Sequence, residues 1–128
     1  MLQHIKNLLK DNIFSIAIIV TISIAYLSLV KVPKVPFEIS YLDKWQHSLA
    51  YFTLTICWLF SYYKRISNRK YIIVLACVIY GIILELLQST ITTHRTGDYL
   101  DILANTLGIF LGLLIFNQIS KKNESNSQ

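Results

Sequence analysis

Four long apolar runs occupy most of the chain, at residues 13–30, 46–63, 71–91 and 99–119. Each has 18 to 21 residues and is continuous, without the alternation of a half-buried strand. A helix needs about 20 apolar residues to cross the hydrocarbon layer of a bilayer. The pattern therefore predicts an all-α bundle of four transmembrane helices, at about 13–30, 45–63, 71–92 and 98–119.

The composition supports a membrane protein over the other broad classes. Of the 128 residues, 54% are hydrophobic and only 15% are charged, whereas a soluble domain carries about 25% charged residues. Such hydrophobicity excludes a disordered chain, and two cysteines are too few for a disulfide scaffold. We expect one transmembrane domain over residues 1–120, with an uncleaved first helix, and a disordered polar cytoplasmic tail over residues 121–128.

The basic residues predict an orientation. Of the twelve lysine and arginine residues, four lie at the first and third connections between the predicted helices. The other eight lie near the two termini and at the second connection. Because basic flanks stay in the cytoplasm, both termini are expected inside. The net charge of +5 then reflects this bias and attraction to anionic lipid, so no nucleic-acid partner is implied.

Polar side chains inside the apolar runs gather near the extracytoplasmic ends. Glu85 and Asn105 each lie six residues from the end of an apolar run, at Ile91 and Tyr99, which is about 9 Å deep. Helical spacing groups them in three stripes, which we expect to face one cavity. The stripes are Asp43, His47 and Tyr51; Gly81, Glu85 and Gln88; and Asp98, Asp101, Asn105, Gly108 and Gly112. Gly81, Gly108 and Gly112 are predicted to allow close helix packing.

The chemistry of these residues leaves several roles open. His47 and Glu85 are candidate catalytic acid–base residues, or an interfacial histidine and a clamp between helices. Lys44 and Arg95 could bind an anion or anchor the interface. The other expected ligand-binding residues are Asp43, Tyr51, Gln88, Asp98, Asp101 and Asn105. No cofactor is required; a divalent metal could use His47, Glu85, Asp98 and Asp101.

The ordered motifs resemble the VanZ-like family of small bacterial integral membrane proteins, named for an accessory protein linked to teicoplanin resistance. The motifs are Asp43-Lys44-x-x-His47-x-x-x-Tyr51, Gly81-x-x-x-Glu85-x-x-Gln88, Arg95 and Asp101-x-x-x-Asn105-x-x-Gly108-x-x-x-Gly112. One departure is Ser48, where an aromatic residue often follows the histidine. The resemblance implies a bacterial cytoplasmic membrane and a cell-envelope role, with a link to glycopeptide resistance, but no established reaction.

Three functions fit these observations. The first is binding of an anionic amphiphilic envelope ligand, such as a lipid-linked precursor or a lipoglycopeptide, in an outward-facing polar pocket. The second is a membrane-embedded hydrolase or transferase acting on a lipid-linked phosphate through His47 and Glu85. The third is a structural subunit of an envelope complex. Membrane lipids are expected partners in each case, and the sequence does not indicate an oligomeric state.

Overall fold

The computed structural model describes residues 1–30, 40–62, 69–91 and 99–126, without the side chains of residues 40–43. These residues form four helices and no strand within the described ranges: α1 (Leu2–Leu29), α2 (Ser40–Ser61), α3 (Lys70–Ile91) and α4 (Tyr99–Asn126). The predicted all-α class and helix count are therefore confirmed.

Two helices are longer than the apolar runs that predict them. α1 begins at Leu2, well before residue 13, and α4 continues to Asn126. Residues 121–126, which we expected to be a disordered tail, are helical and exposed. An apolar run marks the length that lipid can surround, whereas backbone hydrogen bonding can continue into polar sequence beyond it.

Three of the four described helices are long and apolar enough to cross a membrane: α1, α3 and α4. α2 has 22 residues but does not reach the same apolarity. Its sequence holds Asp43, Lys44 and His47 within the first two turns, which lowers its mean hydropathy. Three such helices fit a multi-pass membrane protein.

The contacts between helices give their relative directions. Lys44 meets Asp101 and His47 meets Asn105, so α2 and α4 run in the same direction. Lys70 meets Asn117 while Gly81 lies beside Asn105, so α3 runs opposite to α4. Thr21 and Ser28 of α1 bond Tyr80 and Gln88 of α3, so α1 runs in the direction of α3 and successive helices alternate. α2 and α4 share the most extensive contact, whereas the described parts of α1 and α4 have no Cα atoms within 8 Å of each other.

Two glycines of α4 bring that helix close to α2. A Cβ atom built on Gly108 would lie 3.0 Å from the Cα atom of Ser48 and closer still to the Ser48 carbonyl group. A Cβ atom on Gly112 would lie 3.1 Å from Cβ of Thr55. Small residues at this spacing let two membrane helices approach backbone to backbone. This contact fixes the register that brings the polar side chains of α2 and α4 together.

Candidate functional site

The first polar feature is an ion pair between the starts of α2 and α4. Lys44 Nζ donates to Asp101 Oδ1. The lysine side chain is 27% exposed and the aspartate 10% exposed. Asp101 also lies in the first turn of α4, where the helix dipole favours a carboxylate. The pair thus stands at the entrance to a more deeply buried group of residues.

One turn further along α2, His47 contacts two residues of α4. Its Nδ1 atom lies 3.2 Å from Oδ1 of Asn105. Because an amide oxygen only accepts hydrogen bonds, His47 Nδ1 is the donor. The other ring nitrogen, Nε2, lies 3.9 Å from Oδ2 of Asp101. We call Lys44, His47, Asp101 and Asn105 the polar cluster, and the end of the bundle that holds it the polar end.

Behind the polar cluster, α3 closes the site. A Cβ atom on Gly81 would lie 3.0 Å from Cε1 of Tyr51 and 3.4 Å from Nδ2 of Asn105, so α2, α3 and α4 meet at this glycine. Glu85 lies one turn after Gly81 on α3. Tyr51, Glu85 and Asn105 are all buried. The three helices that were expected to share one polar region therefore do meet there.

Gln88 was expected to face the cavity shared by the three stripes, but its hydrogen bond goes to α1. Its Nε2 atom donates to the backbone oxygen of Ser28, at 2.6 Å, near the end of α1. Gln88 is buried, and this bond ties α3 to α1. Spacing along α3 identified a polar position, but the spacing alone gave no indication that α1 supplies a partner.

Other expected site residues lie outside the described part of the chain. Arg95 and Asp98 fall in the undescribed range 92–98, and the side chain of Asp43 is not described. Among the described residues there is no group of three or more His, Cys, Asp or Glu side chains that could hold a metal ion. The metal set that we considered includes Asp98, so the described residues hold only part of it.

A network that sequence reasoning missed joins α1 to the bundle. Trp58 Nε1 donates to Thr21 Oγ1 at 2.9 Å, and the Tyr80 hydroxyl donates to the Thr21 backbone oxygen at 2.5 Å. The sequence did contain a signal for this network: a threonine, a tryptophan and a tyrosine lie inside apolar runs, and buried polar atoms need hydrogen-bond partners. These bonds help to hold a helix whose buried residues are only Ala17 and Ile24.

Two cavities lie along α1, away from the polar cluster. One, of about 280 Å³, lies between α1, α2 and α3 beside Thr21, Trp58 and Tyr80. The other, of about 350 Å³, lies between α1 and α2 beside Ile24 and Ala50. Both are lined almost entirely by apolar atoms. The described side chains of the polar cluster instead bond to one another, so an incoming ligand must compete for these contacts.

Comparison with known proteins identifies a family whose model matches most of the chain. The family model described as VanZ/LLP1 matches residues 3–120. A protein of Schizosaccharomyces pombe, named Uncharacterized protein C11E3.10, is 31% identical over 115 residues, which cover 88% of this chain and 67% of that protein. No solved structure matches. The resemblance of the motifs implied a bacterial protein, whereas this relative comes from a fission yeast.

Proposed function

The chain belongs to the VanZ/LLP1 family, and on that premise we propose that it is a four-span membrane protein whose polar end binds an anionic amphiphile. The observation that carries this proposal is the Lys44–Asp101 ion pair above the partly buried His47–Asn105 hydrogen bond. Polar groups at membrane depth are costly, and they commonly mark ligand sites. α2 is the fourth span in this proposal, and the alternating helix directions support this, since the chain must return across the bilayer between α1 and α3.

Binding proceeds by exchange of partners. A phosphate or carboxylate headgroup takes the partly exposed Lys44 ammonium group from Asp101. Asp101 lies in the first turn of α4, where the helix dipole still stabilises its carboxylate when it releases the lysine. Asn105 holds the imidazole ring in place through Nδ1. The apolar part of the ligand remains among the lipid chains beside the bundle.

The proposal also includes the side of the membrane on which the polar end lies and the class of ligand found there. We place the polar end on the extracytoplasmic side, because eight of the twelve basic residues flank the other end. In a bacterial cytoplasmic membrane, the anionic amphiphiles on that side include lipid-linked envelope precursors, and lipoglycopeptide antibiotics reach the same surface. Sequestering or presenting such a molecule would give the protein its envelope role and a contribution to teicoplanin-type resistance.

Ligand binding is tested by native mass spectrometry of the full chain, released from membranes of the host cell. We expect an anionic amphiphile to remain bound, and Lys44→Gln to lose it. Lys121→Gln removes the same charge from an exposed position at the far end of α4 and is expected to keep it. Equal retention in both variants, or no bound anionic amphiphile in the unaltered protein, would contradict the proposal.

A second candidate is an enzyme that cleaves or transfers a lipid-linked phosphate. It is favoured by the placement of His47, whose ring is held by Asn105 through Nδ1, since a catalytic base is commonly oriented by a further group. Its weakness is that both ring nitrogens face protein groups. Turnover of a lipid-linked phosphate by the purified protein, lost in His47→Gln, would favour this candidate over binding alone.

A further inference from the structure

The polar cluster already holds a primary ammonium group, that of its own lysine. Lys44 Nζ donates to Asp101 Oδ1 in the first turn of α4. The lysine side chain is partly exposed, whereas Asp101 is buried. In the proposed exchange of partners, the lysine turns to the anion of the ligand. The place beside Asp101 that an ammonium group now occupies is then open to another donor.

A second acceptor lies beside the same place. His47 Nδ1 donates to Asn105 Oδ1, so the single hydrogen of the neutral imidazole ring is on Nδ1, and Nε2 is an acceptor. Nε2 lies 3.9 Å from Oδ2 of Asp101. Two acceptors this close repel each other, but a donor that carries two or more hydrogens fits within hydrogen-bond distance of both.

The orientation of the Asn105 amide supports this assignment of the ring hydrogen. Its Nδ2 atom lies on the side of α3, 3.4 Å from the position of a Cβ atom on Gly81. Glu85 lies one turn after Gly81 and is buried. An amide nitrogen donates hydrogen bonds and a carboxylate accepts them. An acceptor on α3 therefore favours the amide with its nitrogen toward α3 and its oxygen toward His47.

We infer that the headgroup of the ligand carries a primary ammonium group beside its phosphate or carboxylate. This inference rests on the binding function proposed above and names the class of headgroup. The anion pairs with Lys44, and the ammonium group takes the former place of the lysine, where it donates to Asp101 and to His47 Nε2. Charge balance selects this headgroup. The helix dipole is equivalent to only about half a charge, so a second cation stabilises the carboxylate that gives up its lysine.

The test compares lipid probes by native mass spectrometry of the full chain released from nanodiscs. Phosphatidylserine and phosphatidylglycerol have the same net charge, but only phosphatidylserine carries an ammonium group. We expect phosphatidylserine to be retained about tenfold more, the factor for one further hydrogen bond to a charged group. Equal retention of the two lipids, each lost in Lys44→Gln, would overturn this inference and leave the proposed function standing. Retention of neither lipid would overturn both.

A second pair of probes isolates the N–H groups of the ammonium. Phosphatidylethanolamine and phosphatidylcholine are both zwitterions and lack the carboxylate of phosphatidylserine. Methylation leaves the ammonium of phosphatidylcholine without an N–H donor. We expect phosphatidylethanolamine to be retained over phosphatidylcholine, and equal retention of the two would overturn the inference.

Matched variants assign the preference to the polar cluster. Asp101→Asn keeps the size of the side chain but removes its charge, so phosphatidylserine and phosphatidylglycerol should be retained equally. Glu124→Gln removes a carboxylate from an exposed position at the far end of α4 and should keep the preference. A preference that survives Asp101→Asn, or that is lost in Glu124→Gln, would overturn the assignment. The comparisons between lipids in the unaltered protein do not depend on the folding of either variant.

Discussion

Gly108 of α4 lies against the backbone of Ser48 in α2, closer than any side chain at that position would permit. The contact comes seven residues after Asp101 and one residue after His47, so it lies directly beneath the polar cluster. Packing and polar contacts therefore share one helix pair, and a change in the packing should shift the geometry of the cluster.

Gly108→Ala should destabilise the protein strongly. The added methyl group would overlap the Ser48 backbone, which cannot rotate away as a side chain can, so we expect a loss of about 3 kcal/mol in the free energy of unfolding. Gly112→Ala is the matched control, because its added atom meets Thr55 at 3.1 Å and should cost only about 1 kcal/mol. Unfolding in detergent measures both, and equal stability of the two variants would contradict the close approach.

Glu85→Gln and His47→Ala should have different effects on function. The glutamine keeps the size and hydrogen-bonding capacity of Glu85. If the protein acts by binding a ligand, the variant should insert normally and leave the glycopeptide susceptibility of the cells unchanged. His47→Ala removes the bond to Asn105, which should cost about 1 kcal/mol of stability and weaken ligand retention.

Glycopeptide susceptibility of cells with equal amounts of each protein gives the readout for these two variants. A folded Glu85→Gln protein that has lost its phenotype would favour acid–base chemistry. Unchanged susceptibility with His47→Ala would show that the histidine serves neither binding nor catalysis.

Thr21→Val should loosen the attachment of α1. The change removes the hydroxyl that accepts from Trp58 but leaves the backbone oxygen that accepts from Tyr80. We expect a loss of about 0.6 kcal/mol, the average for hydrogen bonds between membrane helices. The emission of Trp58, recorded in a Trp45→Phe background, should shift to the blue as the indole loses its partner.

The control for the α1 attachment is Thr53→Val. The Thr53 hydroxyl is exposed and bonds only within its own helix, to the Leu49 oxygen, among the contacts described here. This variant should leave stability and emission unchanged. If both threonine variants behaved alike, the bond between α1 and α2 would contribute nothing measurable.

Labelling of single cysteines tests the proposed orientation. The two native cysteines, Cys57 and Cys77, are buried and should react slowly, so they provide a quiet background. A membrane-impermeant maleimide on intact cells should label Lys34→Cys and leave Lys64→Cys unlabelled until the cells are opened. Both positions lie in ranges that the structure does not describe. Labelling of the Lys64 position alone would reverse the orientation.

Hydrophobic runs predicted the number of helices and most of their length, because burial in lipid imposes one long apolar segment per helix. Helical spacing placed Asp101 and Asn105 on one face, and both do face α2. Spacing could not show which neighbour a polar residue would meet. Gln88 bonds α1, and Thr21 receives bonds from two helices, because such pairings depend on how separate segments pack.

The pairing of α2 with α4 also constrains how the protein is made. α2 is the one described helix that falls short of the apolarity of a membrane span, yet it shares the largest contact with α4. The α4 partners of Lys44 and His47 lie 57 and 58 residues later in the chain. At about 5 to 20 residues per second, a ribosome takes about 3 to 12 s to reach them. Until α4 emerges, Lys44 and His47 cannot make these contacts, so the polar side of α2 is completed only late in synthesis.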